Sequence, residues 1–250
     1  MESVTVKNKI GLLSVIAIST TGIIGSGWLF SAYLGAKVAG AAVYVSWILT
    51  LIFFILMSLV ISEIVSIFPV RGIIGRMGAL SHNKYFGAIF AFAIWLEIIG
   101  SIPGEAQASV EYLANISPWL SHLLISNGAL TTAGIGFTVL FLVAFWMANL
   151  FGIKLFTRIN NSIAVIKVFL PAIIALIIMG ASFHPANFTA YEGSFMPYGY
   201  NSIILAMTST GMLYSFNGFQ LCASFASEIR NPGRNLPLGM VISIILCFLI

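Results

Sequence analysis

Apolar residues fill long runs along this chain, and short polar segments separate the runs. A helix that crosses the hydrocarbon core of a bilayer needs about 20 residues, and six runs reach that length. They are Ile10–Leu34, Ala41–Phe68, Phe86–Leu113, Ala129–Asn149, Ile159–Gly180 and Asn201–Ala226. This pattern predicts an all-α polytopic membrane protein with a single transmembrane domain over residues 1–250. A seventh run, Leu238–Ile250, is shorter, so we expect the chain to end inside a membrane segment of a longer protein.

The first and sixth runs are interrupted in matching ways. The first contains three glycines within Gly22–Gly27, and the sixth contains the polar, glycine-marked segment Gly211–Gln220. Close helix packing through small residues is one explanation of such glycines. The other explanation is that the two helices are broken at corresponding positions of two repeats, which points to the binding site of a transporter. The matched pair favours the second explanation.

Composition and charge narrow the class of protein. The chain is 60% hydrophobic and 7% charged, which excludes a water-soluble domain of this size. Its two cysteines and three histidines have no metal-ligand spacing, and no cofactor, catalytic or nucleic-acid-binding motif is present, so we expect neither an enzyme nor a nucleic-acid partner.

The basic residues predict the orientation in the membrane. With a cytoplasmic N-terminus, most of the eleven basic residues lie on the inner side. Those on the inside are Lys7, Lys9, Arg71, Arg76, Lys84, Lys154, Arg158, Arg230 and Arg234. Only Lys37 lies outside, and Lys167 lies within a span. This bias follows the positive-inside rule for a cytoplasmic N-terminus. We expect an integral protein of the plasma (inner) membrane.

A few ionisable residues fall at membrane depth, where a charge is costly unless it is paired or hydrated. Lys167 lies near the inner end of the fifth run, so it either extends to the inner surface or faces the bundle interior beside the first break. In the interior it could exchange a proton. Glu97 and Glu105 lie along the third run, and we expect one of them to face the polar interior. Glu228, near an inner helix end, is expected to pair with a basic loop residue.

The two breaks also predict recognition chemistry. A half-helix that begins near Ser26–Trp28 would present free amides and a positive dipole end to a carboxylate. Unwinding near Ser215–Gly218 would free carbonyls, which attract an ammonium group. A molecule with both groups is an α-amino acid, so a small-molecule amino acid is the expected partner, with the lipid bilayer around the protein.

At these positions the sequence resembles the amino acid–polyamine–organocation permeases. Gly22–Phe30 is similar to the family's first-helix signature, and Glu228–Pro237 is similar to the motif after its sixth helix. Phe68–Pro69 with Gly72 resembles the loop after helix two, and residues in and before the fifth helix also match. Two short segments, Ile24–Phe30 and Ile102–Ala106, are similar in sequence to the aspartate–proton symporter branch of the family.

The resemblance implies an inverted repeat of five plus five helices with alternating access. Residues 10–180 would form the first repeat, and 201–250 would begin the second. Ile23, Ser26 and Gly27 would hold the substrate carboxylate. Tyr214 and Asn217 would offer backbone carbonyls to the amino group, while Phe216 and Gly218 shape the break. Lys167 matches the lysine that replaces a coupling cation in proton-coupled members, and Glu97 and Glu105 are further candidates for proton coupling.

Two functions of different class remain open at this point. The first is secondary active transport of an amino acid, coupled to protons, by part of a longer transporter. The second is a truncated membrane fragment that does not transport, or that acts as a regulatory partner. We expect the 250 residues alone not to transport, because alternating access needs one repeat to move against the other.

Overall fold

The computed structural model describes residues 10–25, 28–150, 153–189 and 193–250. Ten α-helices lie within these ranges: α1 Leu12–Ile23, α2 Trp28–Ala39, α3 Val43–Ile67, α4 Ile73–Ser81, α5 Lys84–Ala114, α6 Pro118–Leu124, α7 Thr132–Leu150, α8 Ile153–Ser182, α9 Gly199–Ser209 and α10 Pro232–Leu249. Short 3₁₀ helices cover Gly40–Ala42, Pro185–Phe188, Tyr214–Phe216 and Phe219–Glu228. Within the described ranges the strands are two, β1 Ile125–Ser126 and β2 Ala129–Leu130. The predicted all-α fold is confirmed.

Four stretches of helix in the described residues are long and apolar enough to cross a membrane. They are Phe30–Ile67, Lys84–Ala114, Val165–Ser182 and Pro232–Leu249. The first stretch is 38 residues long and includes parts of both α2 and α3. The chain turns between these two helices at Gly40, whose φ is 60°. The last stretch begins at Pro232, six residues earlier than the predicted Leu238. A proline suits the first helical position, because it has no amide proton that would need a partner there. Apolar side chains remain exposed along these helices, as expected where lipid is the solvent.

The chain divides into two compact units, one formed by residues up to Ile74 with Ser162–Ile250, the other by Gly75–Asn161. In the first unit, α1 packs on α10 and on Phe219–Glu228, and α3 packs on α9 and α10. Small residues let α1 and α10 approach: Gly239 lies against Val15, and the Ser243 hydroxyl donates to the Ile16 carbonyl at 3.0 Å. The first unit therefore holds both interrupted segments in one packed body.

The second unit is built around α5, which packs on α6 and α7. Asn83 caps α5, because its side-chain oxygen accepts from the amides of Tyr85 and Phe86. The β1–β2 hairpin turns at Asn127 and Gly128, whose φ values of 51° and 76° match the Asn-Gly turn typical of two-residue hairpins. The hairpin includes Ala129, so the fourth apolar helix begins three residues later than the sequence pattern predicts, at Thr132.

A glycine on α5 tests the packing of the second unit. A Cβ added to Gly87 would lie 2.4 Å from Ala79 Cβ and 2.7 Å from the Ala79 backbone nitrogen, with no flexible side chain to move away. We expect Gly87→Ala to lower the free energy of unfolding by about 1–3 kcal/mol through overpacking. Thermal unfolding of the protein in detergent, followed by circular dichroism, measures the loss.

Gly100 on the same helix provides the control, because a Cβ there would meet nothing within 4 Å. Gly100→Ala should be neutral or stabilise by up to about 1 kcal/mol, since alanine favours helix. Equal unfolding temperatures for the two variants would contradict the tight contact of Gly87 with Ala79.

Candidate functional site

The first interrupted segment breaks as the glycines predict. Helix α1 ends at Ile23, where the amide of Ile24 still donates to the Thr20 carbonyl at 3.0 Å. Ile24 then leaves helical geometry, with ψ of 83°, and the Gly25 amide turns back to the Ile23 carbonyl at 2.8 Å. Helix α2 begins at Trp28. The break frees backbone carbonyls among buried residues, since Ile23 and Ile24 are both buried, and each buried carbonyl needs a partner.

Lys167 on α8 provides one of these partners. Its Nζ donates to the Ile24 carbonyl oxygen at 2.8 Å, and its side chain is half-buried. A charge-assisted bond of this kind is stronger than one between neutral groups. Of the two positions that the sequence left open for Lys167, this contact favours the one beside the first break over the inner surface.

The sixth interrupted segment opens over a longer stretch than the predicted Ser215–Gly218. Helix α9 ends at Ser209. Gly211 and Gly218 follow with φ values of 76° and 105°, which residues with a side chain rarely adopt. Between them Tyr214–Phe216 form a 3₁₀ turn. Phe219–Glu228 form 3₁₀ turns that are interrupted at Phe225, whose φ of −102° and ψ of 16° are not helical. The predicted break of the sixth helix is confirmed, and its start lies earlier because Gly211 already turns the chain.

Two side-chain amides hold the second break in place. The Gly218 amide donates to Asn217 Oδ1 at 3.1 Å and to Gln220 Oε1 at 3.0 Å. Gln220 Nε2 in turn donates to Asn217 Oδ1 at 2.8 Å. These bonds satisfy an amide that the helix no longer covers, so Gln220 has a structural role that the sequence pattern did not reveal.

The other residues predicted for the sixth segment lie close to this turn. The Tyr214 carbonyl accepts from the Asn217 amide at 2.9 Å, and the Tyr214 side chain is exposed. Phe216 is 2% exposed and stacks on Phe54 of α3, with ring centroids 5.3 Å apart. Phe216 therefore anchors the break against α3.

The two breaks meet backbone to backbone. A Cβ built on Gly218 would lie 2.2 Å from the Gly22 carbonyl oxygen, and one on Gly22 would lie 2.6 Å from the Gly218 oxygen. Beside this contact, the buried Ser19 hydroxyl donates to the Phe219 carbonyl at 3.0 Å. On the α2 side, the Ser215 hydroxyl lies 2.7 Å from Ser31 Oγ, and it also donates to the Gly211 carbonyl at 3.0 Å. Glycine and serine thus let the interrupted segments share one site.

A cavity of about 270 Å³ adjoins both breaks within the first unit. The first break contributes Ile23 and Ile24, and the second contributes Ser215 and Phe216. The other described lining residues are Ala32 of α2, Tyr44, Trp47 and Ile48 of α3, and Cys247, Phe248 and Ile250 at the end of α10. Small-molecule sites are concave, mostly apolar and furnished with a few polar groups, and this cavity has that character.

Some predicted site residues lie outside the described residues or belong to the second unit. Ser26 and Gly27 lie outside the described residues. Glu97 and Glu105 belong to α5 in the second unit, where both side chains are exposed. Their proposed part in proton coupling stays a prediction.

The end of the sixth segment is bonded to the residues before α1 and after α3. Glu228 Oε1 lies 3.8 Å from Arg71 Nε, so Glu228 pairs with a basic loop residue as the sequence predicts. The Ile10 amide donates to the Glu228 carbonyl at 2.9 Å, and the Arg230 amide donates to the Ile10 carbonyl at 2.9 Å. Gly72 adds a bond from its amide to the Ser224 carbonyl at 3.1 Å. These bonds fix the segment before α1 against the end of the sixth segment.

Ser31 is a site residue that sequence reasoning did not single out, and the bonds of the Ser215 hydroxyl and the Gln220 amide were not predicted. The signal that could have found the serines is their polarity inside otherwise apolar runs. Their partners could not be found this way, because Ser31 and Ser215 are 184 positions apart and meet only in the folded chain.

Comparison with known proteins places this architecture in a family. Residues 10–250 match the amino acid permease family model. The glutamate/serine transporter AimA of Bacillus subtilis is 32% identical over 237 residues, which cover 93% of this chain and 44% of the relative. The aspartate-proton symporter of Bacillus subtilis is 28% identical over 244 residues, covering 98% and 46%. The branched-chain amino acid permease BcaP of the same organism is 26% identical over 255 residues, covering 97% and 52%.

The chain belongs to the amino acid permease family, because the family match extends over nearly its whole length. The resemblance found in the two long motifs is thereby confirmed. The chain spans about half the length of the curated relatives it matches. With its apolar helices, family membership also makes it an integral membrane protein.

The contact of the two breaks predicts a strong effect at Gly218. Alanine there would clash with the Gly22 carbonyl and adopt an unfavourable φ of 105°. We expect Gly218→Ala to lower the free energy of unfolding by about 2–6 kcal/mol, the sum of overpacking and backbone strain. Thermal unfolding in detergent measures the change.

Gly199 is the matched control, because its φ is 72° and a Cβ there would meet nothing within 4 Å. Gly199→Ala should cost only the backbone strain, about 1–3 kcal/mol. If both variants lose the same free energy of unfolding, the Gly22–Gly218 contact contributes nothing to the loss beyond the backbone strain at positive φ.

Proposed function

We propose that this chain binds an α-amino acid at the breaks of its first and sixth helices and takes part in its proton-coupled transport across a membrane by alternating access. The observation that carries the proposal is the meeting of the two breaks, Gly22 against Gly218, beside a cavity and beside the Lys167 ammonium. Broken helices that meet in this way offer one ligand a helix N-terminus for its carboxylate and free carbonyls at a helix C-terminus for its ammonium group.

The carboxylate of the amino acid is assigned to the first break. The described part of helix α2 starts at Trp28, and the proposed site uses the free amides and the positive dipole end at the start of this helix. Ser26 and Gly27 precede this turn in the chain, and Ile23 ends α1 on the other side of the break. This arrangement supports the proposed carboxylate role of Ile23, Ser26 and Gly27.

The amino group is assigned to the second break. A carbonyl oxygen has two lone pairs, and the Tyr214 carbonyl uses one of them for the Asn217 amide. The proposed site therefore uses the Tyr214 and Asn217 carbonyls for the ammonium, with Phe216 and Gly218 setting the turn. The matched relatives support an amino acid substrate, because they are a glutamate/serine transporter, an aspartate-proton symporter and a branched-chain amino acid permease.

Lys167 is the proposed coupling group. In its charged form it donates to the Ile24 carbonyl at the first break, so its proton helps to hold the broken backbone. Loss of that proton would remove the charge at the break and weaken the bond. Proton release and movement of the first break are thereby linked, and Glu97 and Glu105 stay candidates for the proton's further path.

The wider arrangement follows the same proposal. Residues 10–180 form the first repeat and residues from 201 onward belong to the second, inverted one. The N-terminus lies in the cytoplasm, as the distribution of Lys and Arg favours, and the membrane of the proposal is the plasma (inner) membrane.

Uptake into vesicles tests the proposed function. The purified chain is reconstituted, an inward proton gradient is imposed, and entry of labelled serine, alanine, leucine, aspartate and glutamate is followed. Saturable uptake that collapses with a protonophore supports the proposal. Binding of a labelled amino acid without uptake would retain the site and reject transport by this chain alone, in agreement with the expectation from the sequence.

A lysine substitution tests the coupling. Lys167→Ala removes the donor to the Ile24 carbonyl and the exchangeable proton, so gradient-driven transport by a transporter that contains this chain should fall by about ten-fold or more. Lys167→Arg should not restore it, because a guanidinium stays charged at every physiological pH. Lys84→Ala, at the start of α5, is the control and should leave transport unchanged. Unchanged gradient-driven uptake in Lys167→Ala would show that this lysine is not the proton-coupling group.

A substitution at Gly27 tests the carboxylate assignment. Leucine at this position would cover the amides at the start of α2, so binding of the amino acid should be lost while the helical content is retained. Equilibrium binding of labelled amino acids measures the first quantity and circular dichroism the second. Wild-type affinity in Gly27→Leu would refute the assignment.

A further inference from the structure

We propose that a notch between α2 and α9 binds the headgroup phosphate of an anionic phospholipid such as phosphatidylglycerol. The notch has a volume of about 510 Å³, which lies within the range of ligand pockets, roughly 300–1,000 Å³. Its described lining residues are Lys37, Val38, Tyr198, Asn201, Ser202 and Leu205. The proposal needs only the membrane setting of the family and does not depend on the proposed amino acid transport.

The notch lies at the level in the fold where phospholipid headgroups are expected. Lys37 is close to the end of α2, and Tyr198 and Asn201 flank the start of α9. The chain turns after α2 at Gly40, and a Cβ built there would lie 2.9 Å from Pro197 Cγ, so the start of α9 lies beside this turn. Both helix ends therefore border the membrane-spanning part of the first unit. Tyrosine is enriched at such borders, and lysine side chains extend to them.

Lys37 brings a positive charge to the notch. Its Nζ lies 4.7 Å from the centre of the Tyr33 ring, one turn back on α2. An ammonium group has three donors, so the contact with one ring does not use all of them. The Tyr198 hydroxyl and the Asn201 amide add donors from the α9 side. A phosphate diester carries one negative charge and several acceptor oxygens, so it matches these groups in charge and in hydrogen bonding.

The other lining residues match the acyl part of a lipid. Ser202 is buried and its hydroxyl donates to the Gly199 carbonyl at 2.6 Å, so it belongs to the wall and is not a donor to a ligand. Leu205 lies one turn beyond Asn201, about 6 Å further along α9. The Leu205 side chain is 54% exposed. A bound molecule thus meets polar groups at the helix ends and an apolar surface one turn deeper, an order that fits a phospholipid better than a soluble anion.

A lipid in the notch would contact both interrupted segments at once. Helix α2 follows the first break, helix α9 precedes the second, and the two helices pack on each other. A ligand that binds only the folded protein raises its unfolding temperature. We therefore expect phosphatidylglycerol to stabilise the chain through the contact between α2 and α9.

Native mass spectrometry of the purified chain in detergent tests the site, because it counts single bound lipids away from the surface potential of a bilayer. Phosphatidylglycerol is titrated into the unmodified protein and into Lys37→Gln, which removes a charge from an exposed side chain. We expect the affinity to fall by about five-fold or more, as for loss of a charge-assisted hydrogen bond. Lys37→Arg should retain the affinity, because a guanidinium also binds phosphate. Unchanged affinity in Lys37→Gln would overturn the proposal.

Lys84 is the matched control. It is an exposed lysine whose Nζ also lies over a tyrosine ring, 5.2 Å from the centre of Tyr85, but it belongs to the second unit and does not line the notch. Lys84→Gln removes the same charge and should leave phosphatidylglycerol binding unchanged. An equal loss of affinity in Lys84→Gln and Lys37→Gln would show general attraction of the lipid to positive charge and would overturn the proposed site.

Two further probes identify the ligand. Glycerol 3-phosphate carries the phosphate without acyl chains, and we expect it not to displace phosphatidylglycerol at equal concentration. Displacement would assign the notch to a soluble phosphate and overturn the choice of a lipid. In thermal unfolding, phosphatidylglycerol should stabilise the unmodified protein more than phosphatidylcholine does, and Lys37→Gln should remove this difference. Equal stabilisation of the unmodified protein by both lipids would overturn the preference for an anionic headgroup.

Discussion

The structure depends on how the backbone is satisfied where two membrane helices are interrupted. Lipid offers no hydrogen bonds, so each amide and carbonyl that a break releases needs a partner inside the protein. At the first break the Lys167 ammonium binds the Ile24 carbonyl, and at the second the side chains of Asn217 and Gln220 bind the Gly218 amide. The Ser19 hydroxyl adds a bond from α1 to the Phe219 carbonyl. These contacts are the reason that unwound backbone persists at this position.

The sequence predicted the fold and the breaks well, for a physical reason. Long apolar runs and clustered glycines are local signals, and helix interruption at Gly22–Gly27 follows from them without knowledge of the rest of the chain. The sixth segment was harder, because its first turn comes at Gly211 and its second half consists of 3₁₀ turns interrupted at Phe225, which have no distinct sequence pattern. The start of α10 at Pro232 was also missed, since the polar residues of its first turns do not look like a membrane helix.

The pairings within the site could not be predicted in the same way. Lys167 had two reasonable positions, and only the fold brings its Nζ to Ile24, a residue 143 positions away. The contact of Gly22 with Gly218 and the bond between Ser31 and Ser215 are equally remote in sequence. A single sequence indicates which residues are unusual for their surroundings, but it does not indicate which of them meet.

The direct contact of the two breaks has a mechanical consequence. Side chains between helices can change rotamer and absorb a shift, whereas Gly22 and Gly218 bring two backbones together with nothing between them. Movement of α1 near Gly22 would therefore displace the turn at Gly218, and with it the Ser215–Ser31 bond on the α2 side. The Ile10–Glu228 and Arg230–Ile10 bonds couple the far end of α1 to the end of the same interrupted segment. The first and sixth segments are thus joined at both ends of α1, so a ligand or proton that shifts one break acts on the other through the backbone itself.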